Sequence, residues 1–298
     1  MVSMKNKSEI TVVLNVFKRL NNLPKQIDAL NAQTIKPNKI LIWQNKSKQD
    51  LPPEIFSKAL VSQNNYNYGV WARFAFALNA KTKYICVFDD DTIPGKKWFE
   101  NCLTTMENYE GLLGTRGLRF KSKVRYSPNT SYGWDNPNMK TEKVDIVGHS
   151  WFFKREWLGA FWREMPPLDF SELAGEDIHF SYAIQKFLGL NTYVPPHPHN
   201  DLDMWGSNPK LALLLGNDEE SICRMDDSII RFNKALRYYT NRGFKLHIGE
   251  DKNMKKEIII GNGLSSNTLL KKILRKSNWI NSFAIKINKR LKKIGIYL

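Results

Sequence analysis

The sequence predicts an α/β protein with a doubly wound, mostly parallel sheet flanked by helices and followed by a C-terminal helical extension. Apolar runs of strand length alternate with helical segments over the first 115 residues. The third of these runs ends in three consecutive aspartates, at the position where ligands bind in such sheets. With 42% apolar residues in 298, the chain can bury a substantial core, which excludes a wholly disordered protein.

The first elements predict a parallel pair of strands. Ile10–Phe17 is rich in β-branched residues and has the length of a buried strand. Pro24 suits the first turn of a helix, where its missing N–H costs nothing, and this helix should end near Asn31. Lys39–Gln44 is the second expected strand. Because one helix joins the two strands, they should be parallel with a right-handed crossover.

The remaining elements continue this alternation. Further helices are expected at residues 69–80, 94–109, 177–188 and 219–242, and further strands at 84–88, 112–115, 144–147 and 191–194. A polar stretch with proline and glycine, residues 121–143, is expected to be irregular. Since ligands bind outside the carboxyl ends of such strands, the chemistry should follow residues 17, 44, 88 and 194.

The charge distribution divides the chain into a sheet domain, residues 1–245, and a basic amphipathic extension, residues 246–298. The net charge of the chain is +16, and residues 264–298 include nine basic residues and no acidic residue. Apolar side chains recur there at three- and four-residue steps, so a helix would gather them on one face. Such a helix suits an anionic membrane surface, where each cation contributes about 1 kcal/mol. A helix packed on its own domain is the alternative.

Composition also indicates which binding partners and which cellular compartment to expect. Nucleic acid is disfavoured, because the basic stretch is interleaved with aliphatic rather than stacking aromatic residues and follows no nucleic-acid-binding motif. The three widely spaced cysteines indicate reduced thiols. No apolar run approaches the roughly 18 residues that span a bilayer, and residues 1–10 lack a signal core. We therefore expect a cytoplasmic protein, peripheral at the inner face of the cell membrane.

The strongest chemical signal is the run Asp89, Asp90 and Asp91 after the third strand. Three adjacent carboxylates repel one another unless a cation neutralises them. Alternate side chains of an extended backbone point the same way, so Asp89 and Asp91 can share one ion. Oxygen ligands of this kind suit Mg²⁺ or Mn²⁺. Capping of the next helix, or simple solvation, is the alternative.

Two later segments carry further candidates. Glu176 and Asp177 open a predicted helix, where a carboxylate serves either as a cap or as a base poised over a substrate. His197 and His199 follow the last strand at the same carboxyl edge, where an imidazole could complete the coordination of the ion. The sequence does not choose between these two histidines.

Polar and cationic side chains near the first strands suit a diphosphate and a nucleobase. The chain has no GxGxxG after its first strand, no GxxxxGK[ST] and no GxSxG, which disfavours a dinucleotide site, a P-loop and a serine hydrolase. Trp134 and Trp151 lie in segments that would flank an acceptor groove. The residues expected near a nucleotide are Asn15, Arg19, Asn45 and Arg73.

In this order, the motifs resemble those of a GT-A glycosyltransferase, specifically the exostosin-like domain and, close behind it, the family-2-like bacterial transferases. The resemblance covers about residues 8 to 200. It implies a Rossmann-like GT-A fold, a nucleotide-sugar donor, most of all a UDP-sugar, and Mn²⁺ or Mg²⁺ as cofactor. The segments that carry it are Ile10–Arg19, Lys39–Asn45, Val87–Thr92, Val147–Phe153 and Gly175–Ile178.

The resemblance also implies residue roles. It places Asp177 and Glu176 in the catalytic acidic pair. It places Asp89 and Asp90 beside the donor nucleotide, together with Asn15, Arg19, Asn45 and Arg73. Asp91 and Asp89 would hold the metal with His199 or His197. Gly148, His149 and Trp151 would form the loop beside the acceptor and the donor sugar.

The activity implied is metal-dependent transfer of a sugar to a hydroxyl of a surface-glycan or lipid-linked acceptor. Inversion of configuration with Asp177 as the base is favoured. A retaining transferase, in which Asp177 positions donor and acceptor, is the alternative. A non-catalytic basic adaptor that binds membrane or nucleic acid is a second alternative.

Overall fold

Strands and helices alternate through residues 9–47, 49–171, 173–216 and 227–248, the part of the chain that the structure, a computed structural model, describes. The strands are β1 (Ile10–Val16), β2 (Lys39–Gln44), β3 (Leu60–Gln63), β4 (Tyr84–Phe88), β5 (Gly111–Leu113), β6 (Arg116–Phe120), β7 (Pro128–Gly133), β8 (Glu142–Val144), β9 (Ile146–Gly148), β10 (Ser150–Lys154) and β11 (Asn191–Val194). The helices are α1 (Leu23–Asn31), α2 (Ile55–Lys58), α3 (Ala72–Phe76), α4 (Trp98–Asn108), α5 (Leu158–Phe161), α6 (Leu168–Ser171), α7 (Glu176–Leu188), α8 (Pro209–Gly216) and α9 (Ser228–Asn241).

Eight strands form one sheet in the order β3-β2-β1-β4-β10-β5-β11-β8. Strands β3, β2, β1 and β4 pair in parallel, as do β5 and β11. Strand β10 runs antiparallel between β4 and β5, and β8 runs antiparallel to β11. The predicted α/β fold with a mostly parallel sheet is therefore confirmed.

The central strands are buried on both faces. Strand β4 is buried along its whole length, and β1 is buried at six of its seven positions. A continuous apolar run of this kind is typical of a parallel strand covered by helices on both sides. Leu14 of β1 lies opposite Phe88 of β4, so the segments that follow the two strands leave the sheet side by side. The core thereby fixes where the residues after each strand meet.

A second sheet of three antiparallel strands, in the order β7-β6-β9, is covered by α7 and α9. It includes residues 128–133, so the expectation of an irregular segment over 121–143 is wrong there. Pro128 occupies the first position of β7, where a strand tolerates proline, and Gly133 takes a φ of 101° at its end. The turn residues in this stretch therefore bound a strand at the edge of the small sheet.

Helix α9 is tied to α7 through a buried histidine. Tyr239 donates its hydroxyl hydrogen to His179 Nδ1 at 2.8 Å, and His179 Nε2 donates to the carbonyl of Phe161 at 2.6 Å. Burial lowers the pKa of His179 to about 4, so the ring is neutral and both nitrogens are satisfied. The predicted helix over 219–242 is present as α9, and its first predicted residues lie outside the described part of the chain.

The described residues belong to one compact unit that ends at Ile248. Of the predicted extension, only residues 246–248 are described; there the backbone N–H of His247 donates to Asp145 Oδ1 at 2.7 Å. The predicted membrane-binding helix therefore lies outside the described residues. Within the described ranges, no helix is both long and apolar enough to cross a bilayer.

Candidate functional site

The loop after β4 holds the three aspartates in a fixed backbone. Gln26 of α1 donates its amide hydrogens to the carbonyls of Asp89 and Thr92, at 2.8 and 3.1 Å. Asn22 donates to the carbonyl of Asp90 at 3.0 Å. Because neutral side chains satisfy the backbone of this loop, its carboxylates remain available for cations.

Arg19, which follows β1, forms ion pairs with two of these aspartates. Arg19 Nη1 lies 2.7 Å from Asp90 Oδ1 and 3.4 Å from Asp91 Oδ2, and Nη2 donates to the carbonyl of Gly216 at 3.2 Å. Burial raises the pKa of Asp90 to about 7 in spite of this arginine. Burial also opposes the charge of Asp91, but His149 and Arg19 hold its pKa below the usual range. Asp91 is therefore the better ligand for a cation near neutral pH.

A second arginine, Arg73 of α3, joins the aspartate run to the other acidic pair. Its guanidinium forms ion pairs with Asp89 and, at 2.7 Å, with Glu176 Oε1. Its side chain is 3% exposed and lies 4.6 Å from the ring centre of Trp151. Burial opposes the charge of Arg73, but the two carboxylates raise its pKa, so the cation is permanent. The two acidic motifs are thus parts of one site.

The acidic pair opens α7 directly after Gly175, which takes a φ of 101°. Asp177 Oδ1 accepts a hydrogen bond from the backbone N–H of Ile178 at 2.7 Å. Burial raises the pKa of Asp177 to about 6, and it also raises the pKa of Glu176, although the charge of Arg73 opposes this. A carboxylate with a pKa near 6 accepts a proton more readily than an exposed aspartate does.

One imidazole belongs to the aspartate cluster. One ligand atom each of Asp89, Asp91 and His149 lies within 4.8 Å of the others. His149 Nδ1 is 3.9 Å from Asp91 Oδ1, and its ring packs edge-on against Trp134 with 5.4 Å between centroids. Two carboxylates and an imidazole are a donor set that suits Mn²⁺ or Mg²⁺. The residues present therefore fit a divalent cation.

The expectation that His197 binds the metal is wrong, because both of its ring nitrogens already form hydrogen bonds with backbone groups. The side chain is fully buried, Nδ1 donates to the carbonyl of Pro195 at 2.8 Å, and Nε2 accepts from the N–H of Gly206 at 3.2 Å. Burial lowers its pKa to about 4. His199 is exposed and does not belong to the group that Asp89, Asp91 and His149 form.

Trp151 does not line an acceptor loop, so that expectation is also wrong. It lies in β10, which inserts between β4 and β5, and is 1% exposed. The aromatic run Trp151–Phe153 belongs to a core strand that was not predicted from the sequence. Gly148, in contrast, is half-buried, and a side chain at its Cα would meet no atom within 4 Å, so it borders open space.

The two expected nucleotide-binding asparagines differ in their surroundings. Asn45 is buried, and its Oδ1 accepts from Trp43 Nε1 at 2.8 Å and from the N–H of Tyr68 at 3.2 Å. Its Nδ2 donates to the carbonyl of Gly69 at 3.1 Å, so Asn45 ties the end of β2 to the segment before α3. Asn15 in β1 is half-buried, and its Oδ1 has no hydrogen-bond partner in the described part of the chain.

Two residues of the small sheet and its connections were not predicted from the sequence as neighbours of the site. Tyr126 stacks on Phe232 with 4.8 Å between ring centroids, and burial and the charges of Asp177 and Glu176 raise its pKa well above the usual range. Arg116 pairs with Asp135 at 2.8 Å. No local pattern in residues 116–143 predicts the positions of these two residues, because they depend on the pairing of β6 with β7 and β9.

Comparison with known proteins gives one family. Residues 11–163 match the family described as Glycosyl transferase family 2. Among solved structures, a crystal structure of S. aureus TarS is 13% identical with a TM-score of 0.45; the match covers 81% of this chain and 44% of that chain. S. aureus TarS 1-349 in complex with UDP-GlcNAc is also 13% identical, with a TM-score of 0.45. That match covers 79% of this chain and 72% of that chain.

A third solved structure is similar in the same degree. The mannosyltransferase PcManGT from Pyrobaculum calidifontis, in complex with GDP-Man and Mn²⁺, is 13% identical with a TM-score of 0.44. The match covers 86% of this chain and 81% of that chain. This chain spans less than half the length of the TarS chain in the first of these structures. No curated protein sequence matches the chain.

Replacing Arg73 by methionine should lower the free energy of unfolding by about 3–5 kcal/mol, because Asp89 and Glu176 lose the cation between them. The double variant Arg73→Met/Glu176→Gln should recover part of this loss, since one unpaired charge is gone. Urea unfolding at pH 8 measures both. Arg163→Met, at an exposed arginine over Phe187, is the control and should change stability by less than about 1 kcal/mol. Equal values for Arg73→Met and Arg163→Met would refute the bridging role.

Proposed function

The chain belongs to glycosyl transferase family 2 and is a glycosyltransferase, and we propose that it moves a sugar from a UDP-sugar to a hydroxyl of a surface-glycan or lipid-linked acceptor. The observation that carries this proposal is the meeting of the aspartate run after β4 with the acidic pair of α7, joined by Arg73. The first group suits a cation and a diphosphate, and the second suits an acceptor hydroxyl. A non-catalytic adaptor would need neither group.

We propose that Asp89 and Asp91 hold Mn²⁺ or Mg²⁺. Such an ion, when bound, supplies positive charge that stabilises the leaving nucleoside diphosphate. Arg19, at the end of β1 beside Asp90 and Asp91, has the planar guanidinium that recognises phosphate oxygens, so we assign it to the donor diphosphate. Arg73 is buried between two carboxylates, which favours a positioning role over the donor contact first expected.

We propose that Asp177 is the catalytic base of an inverting transfer. The acceptor oxygen attacks the anomeric carbon as the bond from that carbon to the diphosphate breaks, and the hydroxyl proton passes to the Asp177 carboxylate. With a pKa raised to about 6 by burial, Asp177 is mostly ionised at pH 7 and is a stronger base than an exposed aspartate. A retaining transferase, in which Asp177 only positions the substrates, is the alternative.

We also propose peripheral attachment to an anionic membrane. The support is compositional: residues 264–298 carry nine basic and no acidic residues among regularly spaced apolar ones. A lipid-linked acceptor would lie at such a surface. The mode of attachment is therefore separate from the chemistry of the site, and it can be tested separately.

A panel of nucleotide sugars should show slow hydrolysis that requires Mn²⁺, with UDP-sugars fastest. Asp91→Asn should reduce this hydrolysis by about 10²–10³-fold, because a ligand of the ion is lost. Asp201→Asn, at an acid paired with Lys97 at 2.8 Å, is the matched control and should keep the wild-type rate. Hydrolysis that persists in excess chelator, or in Asp91→Asn, would contradict the metal assignment.

Asp177→Asn should lower kcat by about 10²–10⁴-fold and leave Mn²⁺-dependent UDP binding unchanged, because only the base is removed. The wild-type kcat should fall as the pH drops below about 6, since protonated Asp177 cannot accept a proton. Rates from pH 5 to 8 and calorimetric titration with UDP measure these effects. A flat profile down to pH 5 together with an active Asp177→Asn would favour the retaining alternative.

Deleting residues 264–298 should weaken binding to vesicles of anionic lipid by more than tenfold, because even two contacting cations contribute about 2 kcal/mol. Donor hydrolysis should stay at the wild-type rate. Vesicle co-sedimentation at low and high salt measures the binding, with vesicles of neutral lipid as the control. Equal binding of both forms to the anionic vesicles would remove the membrane proposal and leave the proposed chemistry intact.

A further inference from the structure

His149 has an unusual backbone conformation. Its φ is 64°, and it is the one non-glycine residue with a positive φ in the described ranges. This conformation is unfavourable for an L-residue, whereas glycine adopts it freely. The preceding residue is Gly148, yet the positive φ falls on the histidine. Residues held in such conformations cluster at sites where the strain serves a function.

The conformation places both parts of His149 against the aspartate run. Its carbonyl accepts a hydrogen bond from the N–H of Asp89 at 3.0 Å, and its ring Nδ1 lies 3.9 Å from Asp91 Oδ1. The first contact needs only a backbone carbonyl, which any residue supplies. The second contact needs an imidazole and is too long for a hydrogen bond. The backbone bond alone therefore does not explain why a histidine stands here.

The ring nitrogen that faces Asp91 is unsatisfied. His149 Nδ1 is buried without a hydrogen-bond partner among the described residues, while the ring is held edge-on against Trp134. A buried polar atom left without a hydrogen-bond partner is destabilising. Strain and an unsatisfied nitrogen thus coincide on one side chain. Both are accounted for if the nitrogen has a partner other than a protein atom.

We propose that His149 is the third protein ligand of the divalent ion, beside Asp89 and Asp91, an inference that rests on the proposed function for the presence of that ion. A small divalent ion with ligand distances of about 2.1 Å joins atoms up to about 4.2 Å apart, which includes the 3.9 Å between Nδ1 and Asp91 Oδ1. All three ligand atoms lie within 4.8 Å of one another, so the set needs to contract by only a fraction of an ångström around the ion. His197 is excluded because both of its ring nitrogens are bonded to backbone. The ion would then tie the β9–β10 turn to the donor-binding loop.

The test is His149→Gly, measured by the Mn²⁺ dissociation constant from electron paramagnetic resonance of free Mn²⁺. The constant should rise at least about tenfold, because a ligand is lost. Without metal, the variant should unfold close to the wild-type temperature, since the relief of strain at this φ offsets the greater freedom of glycine in the unfolded chain. The upward shift of unfolding temperature that Mn²⁺ gives the wild type should shrink. His199→Gly, at an exposed histidine, is the matched control and should keep the wild-type constant.

A purely structural His149 would behave differently: His149→Gly would unfold at a lower temperature without metal and bind Mn²⁺ as the wild type does. That result would overturn the inference and leave the proposed function standing. If His149→Gly does not fold, His149→Asn keeps a residue that tolerates positive φ and should also weaken Mn²⁺ binding. If the wild type binds no Mn²⁺, or Asp91→Asn binds it equally well, the ion site itself fails, and with it the metal part of the proposed function.

Discussion

The charge balance at the carboxyl edge of the main sheet is the constraint on which the site depends. Strand β4 delivers three aspartates to this edge, and α7 brings two more acids to it. Crowding of like charges in a partly buried place is unfavourable without cations. Arg73 supplies one fixed charge that Asp89 and Glu176 share. Because removal of either partner would leave a buried charge unpaired, the two acidic motifs are held in one arrangement.

The two sheets contribute different sides of the site. Parallel strands β1 and β4 end at the same edge, so Arg19 meets Asp90 there. Strand β10 runs the opposite way, and its first residue, Ser150, lies opposite Phe88, the last residue of β4. The residue before β10 therefore arrives where the aspartates begin. An antiparallel strand inserted into a parallel sheet thus brings the turn beside the small sheet to the cation-binding edge.

His149 departs from the backbone conformation and the hydrogen bonding that buried residues usually show. The buried histidines His179 and His197 both form hydrogen bonds through each of their ring nitrogens. His149 differs, because a strained backbone presents a buried nitrogen that has no hydrogen-bond partner among the described residues. Local conflicts of this kind are expected at functional sites, where the surrounding structure compensates for them.

The sequence by itself determined the alternation of strands and helices, the aspartates at the end of β4 and the acidic pair that opens α7, because each depends on residues close together in the chain. Tertiary structure alone decided which histidine approaches the aspartates and which tryptophan is core. Both ring nitrogens of His197 form hydrogen bonds with the backbone of Gly206 and Pro195. Trp151 is buried because β10 inserts beside β4. Strand insertion and the hydrogen bonds of an imidazole depend on distant partners, and no local spacing of residues encodes them.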